Sequence, residues 1–160
     1  MDRESFNNAN SELSPEQKEA KDRMIELLSA GKTDLALEIK RKANLPEQIV
    51  QSKEVQEVIE KQIVYFVSAG FGYLAQEVIE SFDVPKELVD KAARKGLTWA
   101  LEHMQSGDLD NIVIPTSEEF NIALNTEELI EAAKVGIEKL FVQEHNSEAV
   151  KRVKKFFGLS

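Results

Sequence analysis

The sequence predicts an all-α chain of stacked antiparallel helical hairpins, a short α-solenoid-like array with a repeat of about 38 residues. Two observations carry that prediction. Ser29-Ala30-Gly31 recurs as Ser68-Ala69-Gly70, with an alanine five residues past each glycine (Ala36, Ala75) and a proline fifteen past it (Pro46, Pro85). The ends of the second helices then read Ala43-Asn44-Leu45, Phe82-Asp83-Val84, Phe120-Asn121-Ile122 and Phe157-Gly158-Leu159, spaced by 39, 38 and 37 residues. A hairpin of two amphipathic helices cannot bury both apolar faces until a neighbour packs on it, so three or four units make the smallest stable array.

Taken in order, residues 1–13 are polar, lack periodicity and read as a flexible N-terminal tail, leaving 14–160 as a single helical-repeat domain. Ser14-Pro15-Glu16-Gln17 is a capping box with proline at the first helical position, and the helix it opens should run to about Ala30, where Gly31 ends it in a left-handed conformation. Ala20, Met24, Leu27 and Leu28 mark its buried face. Later first helices share Ala92-Ala93 with Gly96 and Ala132-Ala133 with Gly136. The third unit departs from the others at Asn111-Ile-Val-Ile-Pro115, whose β-branched run and proline predict a kinked or partly extended segment. A last helix from about Ser147 to Phe157 should close the stack, and Ser14, Ser52, Thr126 and Ser147 are the expected helix caps.

The chain has 160 residues, 29 acidic against 20 basic side chains and no cysteine, which excludes disulfide scaffolds, thiol nucleophiles and thiolate metal sites. No basic leader followed by an apolar stretch opens the sequence, and no run is long enough to span a membrane, so a cytoplasmic protein with no membrane partner is expected. The net charge of −9 argues against broad affinity for nucleic acid. That charge is uneven. Residues 96–133 contain no lysine or arginine but carry Glu102, Asp108, Asp110, Glu118, Glu119, Glu127, Glu128 and Glu131.

The second helix of the first unit, with Gly31, Ala36, Ala43 and Pro46, resembles the second helix of tetratricopeptide and pentatricopeptide repeats, and Gly70, Ala75 and Pro85 repeat the match. The first helix does not match: the tetratricopeptide glycine seven residues before Gly31 and Gly70 is replaced by Met24 and Ile63. The resemblance implies a divergent member or analogue of that class, with an adaptor surface for a protein or peptide or, in the pentatricopeptide case, for single-stranded RNA.

Several motifs compete with this. Ile63 to Ala75, with Gly70 and Gly72 and with Asp90 about twenty residues on, imitates a strand, a dinucleotide-binding turn and a helix. Its counterpart from Met24 to Ala36 is helical by pattern and lacks the second glycine, so a helical turn is expected instead. Gly31-Lys32-Thr33 lacks the upstream glycine of a phosphate loop, Glu26 standing there. His103 and His145 are not at metal-site spacing, so neither metal nor cofactor is expected. Tyr65, Phe66, Phe71, Tyr73 and Trp99 could line a groove for an apolar peptide anchor, but core packing between hairpins is the preferred expectation.

The functional expectation is a non-catalytic protein-interaction module that presents an acidic face, formed by Glu118, Glu119, Glu127, Glu128 and Glu131, to a basic partner. An RNA-binding repeat is the alternative, using Lys40, Arg41, Lys42, Lys151, Arg152, Lys154 and Lys155 at the ends of second helices. A small helical enzyme or ligand-binding protein comes third. The C-terminal helix ends in Phe156, Phe157 and Leu159, which also suggests a homo-oligomer formed through it.

Overall fold

Four unpaired N–H groups open every α-helix, and the first helix meets that need as its sequence predicts. In the structure, a computed structural model that describes residues 13–145 and 147–160, the Ser14 hydroxyl accepts from the Gln17 amide at 3.1 Å and the Gln17 side-chain oxygen accepts from the Ser14 amide at 3.2 Å. The tail expected over 1–13 falls outside the described residues as far as residue 12, while Leu13 is buried. Helix α1 spans Pro15–Ser29, followed by α2 (Thr33–Lys42), the single turn α3 (Glu47–Val50), α4 (Lys53–Ser68), α5 (Gly72–Ser81) and α6 (Lys86–Glu102). A π-helical turn, Leu109–Val113, leads directly into α7 (Ile114–Glu119), and α8 (Glu127–Glu144) and α9 (Ser147–Phe157) complete the chain. The protein is all-helical, at 77% helix, with no strand among the described residues.

The connections follow one rule. Among the described residues, four other than glycine have positive φ (Asn44, Asp83, Asn121 and His145), and with Gly31, Gly70, Gly107 and Gly158 they form four pairs separated by 13, 13, 14 and 13 residues. Helices α2 and α5, the π turn and α9 each begin two residues after the first member of a pair. The backbone bonds recur as well: Lys32 N–H donates to Leu27 C=O, Phe71 to Phe66, Leu45 to Lys40, Val84 to Ile79, Ile122 to Ser117 and Leu159 to Lys154. Each is the long bond of a Schellman end, which needs a left-handed residue just before the donor. Asn, Asp and Gly meet that demand at least steric cost.

The third pair holds the one extra residue, and the π turn lies inside it. A π turn is an α-helix carrying a single inserted residue. Asn111 to Pro115 is therefore helical, with the irregularity expected near Pro115 taking the form of a π turn and no extended segment. The Ile114 amide donates to the Leu109 carbonyl across this wider turn, and Pro115, which has no amide to lose, sits in the first turn of α7.

The chain divides into two compact units. The first comprises residues up to Gln62 with Gln76–Val84, and the second comprises Ile63–Ala75 with Pro85–Ser160. In the first, Met24, Leu27 and Leu28 of α1 are buried with Ala36, Ile49, Val50, Val55, Ile59 and Phe82. Lys21 is buried too and reaches Glu54 at 2.8 Å. In the second unit the Ala-Ala-x-x-Gly segments explain themselves. A Cβ at Gly96 would lie 2.6 Å from Val67 Cγ1 and 3.0 Å from the Val64 carbonyl, and one at Gly136 would collide with the Leu101 carbonyl. Two glycines thus let α6 approach α4 and α8 approach α6 at backbone distance, with Ala92, Ala93, Ala132 and Ala133 buried beside them.

The caps are mixed. Thr126 has the extended backbone of a cap residue without a side-chain bond, and the Ser52 hydroxyl is buried with no partner. Asn146 is outside the described residues, so the expected cap role of Ser147 is left aside.

Two outcomes follow from this packing. Gly136→Ala should destabilise the protein by about 2 kcal/mol or more, because the obstacle is backbone and cannot turn aside, and a denaturant titration measures it. Deleting Asn111, which is exposed, should turn the π turn into a regular α-helix and leave a folded protein whose melting temperature lies within about 5 °C of the parent.

Candidate functional site

The acidic stretch carries several local duties. Asp108 accepts the Gln105 amide at 2.7 Å, Asp110 pairs with Arg152 at 2.7 Å, and Glu131 pairs with Lys134 at 2.7 Å. Glu119 occupies the place a Cβ would take at Gly72, the first residue of α5, so its carboxylate sits at the positive end of that helix dipole. Glu128 shares a shallow cleft of about 440 Å³ with Glu87, Asp90, Lys91, Arg94 and Lys95, three acids facing three bases. Glu118 and Glu127 are exposed near the end of α7 and the start of α8. The five carboxylates are thus all at the surface, but three of them face a cation or a helix end.

Neighbouring groups offset much of the basic clusters also. Lys40 lies 3.7 Å from Glu47 and 5.8 Å from the centre of the Phe82 ring, and Lys42 pairs with Glu38. Lys151 pairs with Glu148 at 3.1 Å, and Arg152 pairs with Asp110 while stacking over Phe156. Arg41 and Lys155 are exposed and Lys154 is half-buried. Phosphate recognition needs cations aimed outward together, and salt bridges to neighbouring carboxylates work against that.

Both glycines of the dinucleotide-like segment have structural work. Gly70 is left-handed, with φ of 81°, and a Cβ on it would press on Ile112 at 3.1 Å, while Gly72 makes room for Glu119. The segment is a helix, a three-residue reversal and a second helix, so no strand feeds the turn. No group of three or more metal-ligating side chains occurs among the described residues. His103 stacks on Trp99 with ring centres 4.2 Å apart, and His145 meets Phe141 edge-on at 6.5 Å.

The aromatic run overturns the core-packing expectation. Phe66 is buried, but Tyr65 is 60% exposed, Phe71 42%, Tyr73 67% and Trp99 50%. All four belong to the second unit. Gly96 rests on the Val64 carbonyl, which puts Tyr65 of α4 beside the crossing and Trp99 of α6 one turn past it. Phe71 and Tyr73 pack edge to face at 6.3 Å at the start of α5. Tyr65, Tyr73 and Trp99 combine an apolar ring with a polar group and Phe71 is wholly apolar, the aromatic chemistry enriched at interaction surfaces. Helical phase could have revealed it. Trp99 falls in step with the exposed Lys91, Lys95 and His103, one turn apart each, and out of step with buried Ala92, Ala93, Gly96 and Leu97.

In the first unit, Asp34 in the opening turn of α2 meets Glu77 of α5. The hydrogen bond with the Asp34 side chain, partial burial and the Asp34 charge together raise the Glu77 pKa above its ordinary 4.5. A second shallow cleft of about 240 Å³ has Ala20, Ile39 and Ala43 as its floor, with Glu16, Glu19 and Arg23 on its rim. No helix among the described residues is long and apolar enough to cross a membrane. Comparison with protein-family models, curated proteins and solved structures finds no significant match.

The carboxyl pair predicts a pH dependence. A carboxyl whose pKa is raised by folding holds its proton more tightly in the folded state, so its stabilising contribution is complete below the ordinary value and is lost as pH rises through the raised one. Thermal melts from about pH 4 to pH 7 should show the parent losing stability relative to Glu77→Gln as pH rises, with Glu77→Gln melting higher at neutral pH.

Proposed function

We propose that the chain is a short array of four helical hairpins, a divergent relative or analogue of the tetratricopeptide and pentatricopeptide class, that acts as a non-catalytic protein-interaction module. The recurrence of the left-handed residues at 13, 13, 14 and 13 supports one hairpin design used four times. Burial of Ala36 and Ala75 at equivalent places in α2 and α5 supports it too.

The observation that carries the functional reading is the exposure of Tyr65, Phe71, Tyr73 and Trp99 within one unit. Leaving large aromatic side chains about half exposed forgoes about half of the roughly 1.5–3 kcal/mol that full burial of each would contribute. A partner that covers them recovers that energy, and rigid aromatic rings lose little conformational entropy on being covered. An acidic face receiving a basic partner is a weaker form of the reading, since Glu119, Glu128 and Glu131 already face a helix end or cations. The RNA reading is weaker again, because Lys40, Lys42, Lys151 and Arg152 are paired with carboxylates.

The test is capture from lysate by immobilised protein in three forms. Parent protein should retain a defined partner, and Tyr65→Ser with Tyr73→Ser and Trp99→Ser should lose it while the circular dichroism spectrum is unchanged. The charge-reversed form at Glu118 and Glu127 should keep it. A set of captured proteins identical across all three forms would remove the aromatic surface from consideration.

A further inference from the structure

The packing of α8 on α6 shows what covers one edge of a first helix, and the same edge of α8 is bare. Gly136 lies against the Leu101 carbonyl, and Leu101 is fully buried. The matched segments Ala92-Ala93-x-x-Gly96 and Ala132-Ala133-x-x-Gly136 put Phe141 where α6 has Leu101, five residues past the glycine. Phe141 is 57% exposed, and its neighbour Val142 is 69% exposed. Val135 and Phe156 are exposed as well, so α8 and α9 together carry four large apolar side chains in solvent.

Charge says what fits there. Helix α8 holds five glutamates against two lysines, and α9 holds four basic residues against one glutamate. A surface made of one acidic and one basic helix complements itself when a two-fold axis between them lays α8 of each copy on α9 of the other.

We infer that the α8–α9 face binds a second copy of this chain in a two-fold dimer, with Phe141 and Val142 as the apolar centre and the α8 glutamates against the α9 lysines. Light scattering across a dilution series should give twice the chain mass at high concentration. Phe141→Asp with Val142→Asp should leave monomer at every concentration, with the circular dichroism spectrum of the parent. Lys154→Glu with Lys155→Glu should weaken the dimer roughly tenfold or more, and adding Glu127→Lys and Glu138→Lys should restore it. Monomeric parent protein throughout the series, or a mass that does not respond to the Phe141 and Val142 changes, overturns the inference. A mass that keeps climbing with concentration overturns it in favour of open head-to-tail association, and failure of the compensating pair overturns the placement of α8 on α9.

Discussion

A helix can end inside a protein only where its last carbonyls find donors other than the next turn, and at the ends of α1, α2, α4, α5, α7, α8 and α9 the backbone passes through a left-handed residue. Eight such residues place the helix boundaries. They fix where α2, α5, the π turn and α9 start, and hence which of their side chains point inward. Every buried position described above depends on that phase: a reversal moved by one residue would turn the following helix by about 100° and carry its apolar stripe out of the core.

Close approach is the second constraint. Gly96 and Gly136 hold helices of the second unit at distances where a methyl group would strike backbone, and rows of buried alanine extend the contact. Helices brought so near have little room between them for large side chains. Tyr65 of α4 and Trp99 of α6 stand on outer faces of the same elements, which links the tight packing to the exposed surface assigned a binding role.

Much of this was legible in the residues. The capping box at Ser14, the left-handed Gly31 and Gly70 and the spacing of the second-helix ends are local signals, and local backbone chemistry decided them. The third hairpin was less legible because a β-branched run with a proline has two readings, extended or helical, and a π turn that gives the ring space is set by the elements around it. The aromatic residues were misjudged for a different reason. Residue type alone favours burial for Tyr, Phe and Trp, and only the phase of Trp99 relative to Lys91 and Lys95 points outward. The duties of Glu119 and Asp110 were invisible, because their partners at Gly72 and Arg152 are more than forty residues away in one direction or the other.

The π turn bears on how such a chain keeps time. Gly70 to Gly107 is the shortest interval between first-helix reversals, at 37 residues against 39 and 38, yet the second-helix ends on either side, Asp83 and Asn121, remain 38 apart. A residue missing before the turn and a residue gained within it cancel, so the hairpin keeps its overall length while its two halves exchange material. Residue counts between reversals can therefore differ without moving the next reversal, wherever a helix absorbs the difference as a bulge.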